Sequence, residues 1–168
     1  MRSEQLSLWE DEKQIILERE KVDISTLRSS DNRKNLLNTL PKETYYIYKT
    51  GGINPFKKEL GPIFPFFKND KTGKILILQK SGGLNGSSLY PHINLNIHDR
   101  RRRGHGYKLY IHKIAGLAFI KLNAESIKIK TMVDHLDGDF YNYLPSNLEW
   151  VTPSENNRRR KKYYMRKG

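Results

Sequence analysis

Four side chains with catalytic potential lie in the stretch from Asp134 to Asn156. Asp134 and His135 place a carboxylate next to an imidazole, and Asn147 and Asn156 follow. An imidazole is partly neutral near pH 7 and can accept a proton. Carboxylate and amide oxygens are hard ligands of the kind that Mg²⁺ takes. The stretch therefore combines a candidate general base with candidate metal ligands.

The sequence around these side chains predicts a strand, a polar loop, a second strand and a helix. The run Leu148–Val151 is short, apolar and aromatic, which is typical of a strand. Thr152 suits the N-cap of a helix, Pro153 suits its first position, and Glu155 completes a capping box. Asn156 then falls on the first helical turn, where anionic groups such as phosphate are favoured. This order allows the four side chains to converge at one end of the unit.

The stretch resembles the HNH homing endonucleases of the ββα-metal (His-Me finger) group. Their core reads roughly as Asp-His, Asp-Gly, an Asn pair, Asn-Leu-Glu-Trp-Val-Thr and Glu-Asn. The run from Leu109 to Ile120 also resembles the strand and short helix before that core, so the similarity covers about residues 90–160. The residues that match the core are Asp134, His135, Asp137, Gly138, Asn142, Asn147, Leu148, Glu149, Trp150, Val151, Thr152, Glu155 and Asn156.

The resemblance implies a role for each candidate. His135 would be the general base, and the side-chain carbonyl of Asn147 would hold one ring nitrogen of His135. Asp134 and Asn156 would bind one divalent metal ion, Mg²⁺ or Mn²⁺, which acts as a Lewis acid and stabilises the leaving 3′-oxygen. Asp137 and Asn142 would mainly hold the loop, and His112 would orient a group or contact phosphate at most.

The implied function is a metal-dependent endonuclease that hydrolyses phosphodiester bonds in double-stranded DNA. Such proteins are often homing-type enzymes of mobile elements in phage genomes. One core predicts that a monomer nicks one strand, whereas a double-strand break needs two copies. Two alternatives remain: a nonspecific toxin or defence nuclease, and a DNA-binding protein with an inactive core. Intact Asp134, His135 and Asn156 argue against the inactive core.

The charge distribution favours a polyanionic partner such as DNA. The first 50 residues carry nine Lys/Arg and nine Asp/Glu, so the whole formal net charge of +13 lies beyond them. One basic run falls at a predicted hairpin tip and another on the helix after Thr152. A solvated turn and simple stabilisation of the helix C-terminus are the alternatives for these runs. The predicted DNA-binding residues are Arg100, Arg101, Arg102, Arg103, Lys113, Arg158, Arg159, Arg160, Lys161 and Lys162.

One departure from the family pattern lies in the predicted loop. Tyr143 stands where the family has its second loop Asn, and Leu144 replaces the basic residue that often follows. We expect this change to loosen the loop or to remove a DNA contact. Trp150, in contrast, is expected in the core.

The predicted fold is α+β in three parts. A helical N-terminal segment (1–43) precedes a β-rich DNA-contact region (44–107) with an antiparallel hairpin, and the ββα-metal nuclease core spans 108–168. The absence of cysteine excludes disulfides and a thiolate zinc site. No apolar run approaches the roughly 20 residues of a membrane helix, so we expect a soluble, cytoplasmic protein. A homodimer or a partner protein is as compatible with the sequence as a monomer.

Overall fold

The computed structural model describes residues 20–28, 36–80, 90–95, 107–123 and 125–165. In this part of the chain three antiparallel sheets and three α-helices form an α+β fold. None of the described helices is long and apolar enough to cross a membrane.

The first sheet has four strands that are neighbours in chain order. Ile47 and Phe67 are paired across its two central strands, and both are fully buried. Alternation along these strands therefore sends one face into the core. The strands are β1 (Lys21–Asp23), β2 (Tyr45–Gly52), β3 (Phe64–Asn69) and β4 (Lys74–Leu76).

The described part of the N-terminal segment differs from the helical segment that the sequence predicted. Lys21–Asp23 is a strand, and Val22 pairs with Ile47 of β2. Because sheet pairing satisfies the backbone and half-buries Val22, it overrides a weak helical pattern at these residues. The prediction was wrong here, whereas the part covering residues 1–19 lies outside the described residues. Later in the same segment, Leu36–Thr39 forms a short 3-10 turn.

The second sheet is the predicted pair of antiparallel strands. Strand β5 (His92–Leu95) pairs with β6 (Tyr107–Tyr110), with His92 opposite Tyr110. The predicted tip, Arg100 to Arg103, lies outside the described residues. Helix α1 (Ile111–Phe119) follows β6 directly, as the sequence predicted.

The third unit has the predicted order of strand, loop, strand and helix. Strand β7 (Met132–His135) pairs with β8 (Leu148–Val151), and helix α3 (Pro153–Met165) follows. A short helix, α2 (Ser126–Ile129), precedes β7.

Helix α1 supports the β7–β8 pair from one side. A Cβ added at Gly116 would lie 2.7 Å from Val133 Cγ2, so only glycine permits this approach of helix and strand. The Trp150 indole N–H donates to the Ile120 carbonyl at 3.3 Å, and Trp150 is buried as predicted. Strand β7, which carries Asp134 and His135, therefore packs directly against helix α1.

Candidate active site

Asp134 and His135 form the end of β7 and point to opposite faces of the two-stranded unit. Successive strand residues alternate in direction. Asp134 faces Arg159 of α3, whereas the ring of His135 lies beside that of His112 on α1. The backbone N–H of His135 donates to Asp134 Oδ1 at 2.9 Å, which fixes one carboxylate oxygen. One strand end therefore supplies a carboxylate to one face and an imidazole to the other.

The His135 imidazole is buried and electrically neutral. The residue is 4% exposed, and its Nε2 has no hydrogen-bond partner among the described residues. Burial lowers the pKa of His135 to about 4, although the carboxylates of Asp137 and Asp139 act in the opposite direction. Because buried polar atoms normally have partners, a free Nε2 on a neutral ring is suited to a water or a substrate.

Three other rings lie close to the His135 imidazole. The centroid of the His135 ring lies 5.1 Å from that of His112, 5.9 Å from that of Tyr90 and 6.1 Å from that of Phe140. Burial, followed by repulsion from His135, lowers the pKa of His112 to about 3, and its buried Nδ1 has no partner among the described residues. Tyr90 and Phe140 belong to no chemical motif in the sequence, so their position beside His135 was not predicted.

Asn147 does not hold the imidazole as predicted. Its Oδ1 accepts from the Asp137 N–H at 3.3 Å, and its Nδ2 donates to Asp137 Oδ1 at 2.9 Å and to the Asn142 carbonyl at 2.8 Å. The residue ends a 3-10 turn opposite the start of the loop, which brings its amide to Asp137 rather than to the ring. Its backbone carbonyl accepts from the Leu136 N–H at 2.8 Å. Asn147 therefore acts on His135 only through the backbone that follows it.

Asp137 is the centre of the loop between β7 and β8, as the sequence predicted. It accepts from the Asp139 N–H at 2.8 Å and from Asn142 Nδ2 at 2.7 Å, besides its bonds to Asn147. Burial acts to raise the pKa of Asp137, but these hydrogen bonds outweigh it and hold the pKa below its usual value. Gly138 takes the left-handed conformation that the turn requires, at φ 73°.

Tyr143 anchors this loop in the core, so the expected loosening was wrong. The residue is fully buried, and its ring centroid lies 5.0 Å from that of Phe64 in the first sheet. Asn54, also fully buried, donates from Nδ2 to the Tyr141 carbonyl at 2.6 Å. The larger aromatic side chain thus replaces a polar loop contact by packing against the N-terminal sheet.

The capping box that begins α3 is present as predicted. The Thr152 N–H donates to Glu155 Oε2 at 2.9 Å, and the Glu155 N–H donates to Thr152 Oγ1 at 3.2 Å. These bonds, together with Pro153 at the first helical position, fix the helix start. Asn156 lies three residues before Arg159, and residues three positions apart are neighbours on a helix surface. Arg159 reaches Asp134 from the same helix.

Asp134 has the properties of a cation ligand. Burial raises the pKa of Asp134, against the His135 N–H and Arg159, so a nearby positive charge stabilises the carboxylate. Arg159 Nη1 lies 3.6 Å from Asp134 Oδ2. Asp134 and the Asn156 amide oxygen supply hard ligands, and Mg²⁺ commonly takes few protein oxygens together with waters. The donor set therefore fits Mg²⁺ or Mn²⁺, although the described residues contain no group of three or more His, Cys, Asp or Glu suited to a metal.

The predicted DNA-binding residues fall into different environments. Arg158, Arg160 and Lys161 are exposed on α3, and Lys113 is half-buried on α1. Arg159 is ion-paired with Asp134 and Glu149. The side chains of Arg100 to Arg103 and of Lys162 lie outside the described residues.

An α+β fold with an Asp-His pair at a strand end is what the resemblance to HNH endonucleases implies. Comparison with known proteins finds a relative that carries the same family name. No family model matches the chain. The uncharacterized HNH endonuclease L247 of Acanthamoeba polyphaga mimivirus is 33% identical over 110 residues, which is 66% of this chain and 25% of that protein. The resemblance to the HNH endonucleases is thereby confirmed, and the chain spans about a quarter of that relative's length.

A solved structure is also similar. It is a structure of the HNH homing endonuclease I-HmuI, solved to show DNA binding and cleavage by that enzyme. The two chains match at 24% identity with a TM-score of 0.46, over 73% of this chain and 54% of that one.

Proposed function

We propose that this chain is a metal-dependent HNH endonuclease that hydrolyses phosphodiester bonds in double-stranded DNA. The observation that carries the proposal is the end of β7, with a buried imidazole on one face and a half-buried carboxylate on the other. The imidazole Nε2 has no hydrogen-bond partner within the described ranges of the chain. The similarity to the mimivirus protein, which is named as an HNH endonuclease, supports this proposal.

In the proposed reaction His135 takes a proton from the attacking water at Nε2. Its lowered pKa keeps the ring neutral at pH 7, so the base is in its active form. The carboxylates of Asp137 and Asp139 stabilise the imidazolium that forms, since both favour the charged ring. Asn147 fixes the chain after His135 by accepting the Leu136 N–H, and so positions the base indirectly.

Asp134 and Asn156 would hold the divalent ion in this proposal. When bound, the ion supplies Lewis-acid stabilisation of the negative charge that develops on the phosphate and the leaving oxygen. Asp134 would contribute the oxygen not already bonded to the His135 N–H, which is Oδ2. The exposed cations of α3 would lie along the DNA backbone and contact phosphates.

We further propose a homing-type enzyme in which each copy nicks one strand. One Asp-His pair of this kind occurs in the sequence, so a double-strand break would need two copies. The homing role rests on the motif resemblance described above.

The test is incubation with supercoiled plasmid, with and without Mg²⁺. We expect metal-dependent conversion to open circle, and a fall of about 10²–10⁴-fold in rate for His135→Ala. His135→Ala should still bind DNA and melt cooperatively. Equal cleavage by this variant would refute the base assignment.

The product pattern separates the alternatives. A discrete band on a denaturing gel means site-specific cleavage, which the homing role requires. A smear favours the toxin or defence nuclease. Absence of cleavage with Mg²⁺ and Mn²⁺, while DNA binding persists, favours the DNA-binding protein with an inactive core.

A further inference from the structure

The carboxylates of Asp134 and Glu149 share one guanidinium. The two residues are direct partners across β7 and β8, so their side chains project from the same face. Arg159 reaches them from α3, with Nη2 2.8 Å from Glu149 Oε2 and Nη1 3.6 Å from Asp134 Oδ2. Two like charges at adjacent positions repel each other, and the guanidinium offsets this repulsion.

The two contacts of Arg159 are unequal. The contact with Glu149 has the length of a strong charge-assisted hydrogen bond, whereas 3.6 Å to Asp134 exceeds hydrogen-bond distance. Arg159 is therefore held mainly by Glu149, at the side of the more buried carboxylate. The side chain of Asp134 is 20% exposed and that of Glu149 is 40% exposed.

A divalent ion and a guanidinium are alternative partners for Asp134 Oδ2. Its other oxygen already accepts the His135 N–H, so a cation on the α3 side has Oδ2 as its open ligand. An ion bound there would also be repelled by the charge of Arg159. A guanidinium moved from Glu149 onto Asp134 would block that oxygen.

We propose that Arg159 and Glu149 are positioning residues that set the affinity of Asp134 for the divalent ion. Arg159 competes with the ion, and Glu149 reduces this competition by holding the guanidinium aside. This inference rests on the proposed function, since it concerns the same metal. It also replaces the phosphate contact that the sequence predicted for Arg159.

The test is Mn²⁺ binding to the free protein, measured by electron paramagnetic resonance and by calorimetry. Arg159→Gln should tighten Mn²⁺ binding about two- to fivefold, the range expected for a partly exposed ion pair. Glu149→Gln should weaken it by a similar factor because the guanidinium is then released toward Asp134. Arg158→Gln removes one charge from the exposed neighbouring position and should change the affinity much less.

The double variant separates an indirect role of Glu149 from direct binding. If Glu149 acts through Arg159, Glu149→Gln should have almost no effect in the Arg159→Gln background. If Glu149 binds the ion itself, the same weakening will appear in both backgrounds, and the inference fails. Equal Mn²⁺ affinity of Arg159→Gln and wild type would also overturn it.

Asp134→Asn distinguishes this failure from failure of the proposed function. If Asp134→Asn loses Mn²⁺ binding while Arg159→Gln leaves it unchanged, only the role of Arg159 is wrong. If wild type binds no Mn²⁺, or if Asp134→Asn binds it normally, the proposed metal site is wrong and the inference falls with it. Thermal melting of each variant checks that the fold persists.

Discussion

The two faces at the end of β7 differ in solvent and charge. His135 faces α1 in a setting of rings, where Tyr90, His112 and Phe140 surround it. Asp134 faces α3 in a half-buried, charged setting with Glu149 and Arg159. Adjacent residues of one strand thus occupy two electrostatic environments because side chains alternate along a strand.

Burial shifts the two pKa values in opposite directions and for the same reason. It disfavours the charged form, so it lowers the pKa of His135 and raises that of Asp134. The first shift leaves a neutral ring that can accept a proton. The second leaves a carboxylate that gains from a cation. The strand therefore prepares both residues for the proposed reaction without any direct bond between their side-chain functional groups.

The largest effect on stability should come from Tyr143, which anchors the loop that follows His135. Tyr143→Ala removes a fully buried ring and should lower the free energy of unfolding by about 3–5 kcal/mol. Tyr143→Phe is the matched control. Its lost hydroxyl is buried without a partner among the described residues, so the change should be neutral or stabilising. Urea denaturation measures both, and a small loss for Tyr143→Ala would contradict anchoring in the core.

On the charged face, Asn156→Ala should lower cleavage at limiting Mg²⁺ by about 10–100-fold, as loss of one metal ligand or its support does. Higher Mg²⁺ should restore part of the rate. Asn157→Ala is the matched control, since Asn157 is the exposed neighbour on the same helix. Single-turnover rates across a Mg²⁺ titration measure the difference. Equal metal dependence for the two variants would remove Asn156 from the site.

Acid should destabilise the fold through His112, which lies beside His135. The pKa of His112 is lowered to about 3 in the fold, against 6.5 for a free histidine, so the unfolded chain binds more protons between these values. Above pH 6.5 this imidazole should not reduce the free energy of unfolding. Below pH 6.5 it should reduce the free energy of unfolding by on the order of 1 kcal/mol per pH unit. His135 adds a loss of the same sign.

His112→Phe tests this dependence. It removes the titrating ring within the same aromatic setting, so the free energy of unfolding should change less steeply between pH 6.5 and 4. Above pH 7 the slopes of wild type and variant should agree. The measurement is metal-free urea denaturation at each pH, and identical slopes below pH 6.5 would show that His112 is protonated in the fold.

The local features of the site followed from sequence, whereas its long-range contacts did not. The order of strand, loop, strand and helix, the capping box and the loop role of Asp137 involve neighbours in the chain, whose patterns are encoded locally. The burial of Tyr143 depends on Phe64, and the Asn54 bond joins residues 87 positions apart. Such contacts follow from the docking of the first sheet, which no motif encodes.

Arg159 illustrates the same limit within one basic run. The sequence predicted that the residues from Arg158 to Lys162 all contact phosphates. In the structure, the position of each residue around the helix determines which cation contacts Glu149, and that residue is Arg159. Residues one position apart differ by about 100° around a helix. The sequence therefore predicted the charge of this helix but not the separate environment of Arg159. The prediction for Arg100 to Arg103 stays a prediction.

The smallest effect concerns DNA affinity and divides this basic run. Arg158 and Lys161 are exposed, so replacing both by Gln should reduce the slope of log affinity against log salt by about 2, one for each lost phosphate contact. Arg159→Gln should change the slope less, because Glu149 already neutralises it. Fluorescence anisotropy with a labelled duplex in EDTA measures binding without cleavage. A larger slope change for Arg159→Gln than for the double variant would assign Arg159 to phosphate and erase the distinction between it and its neighbours.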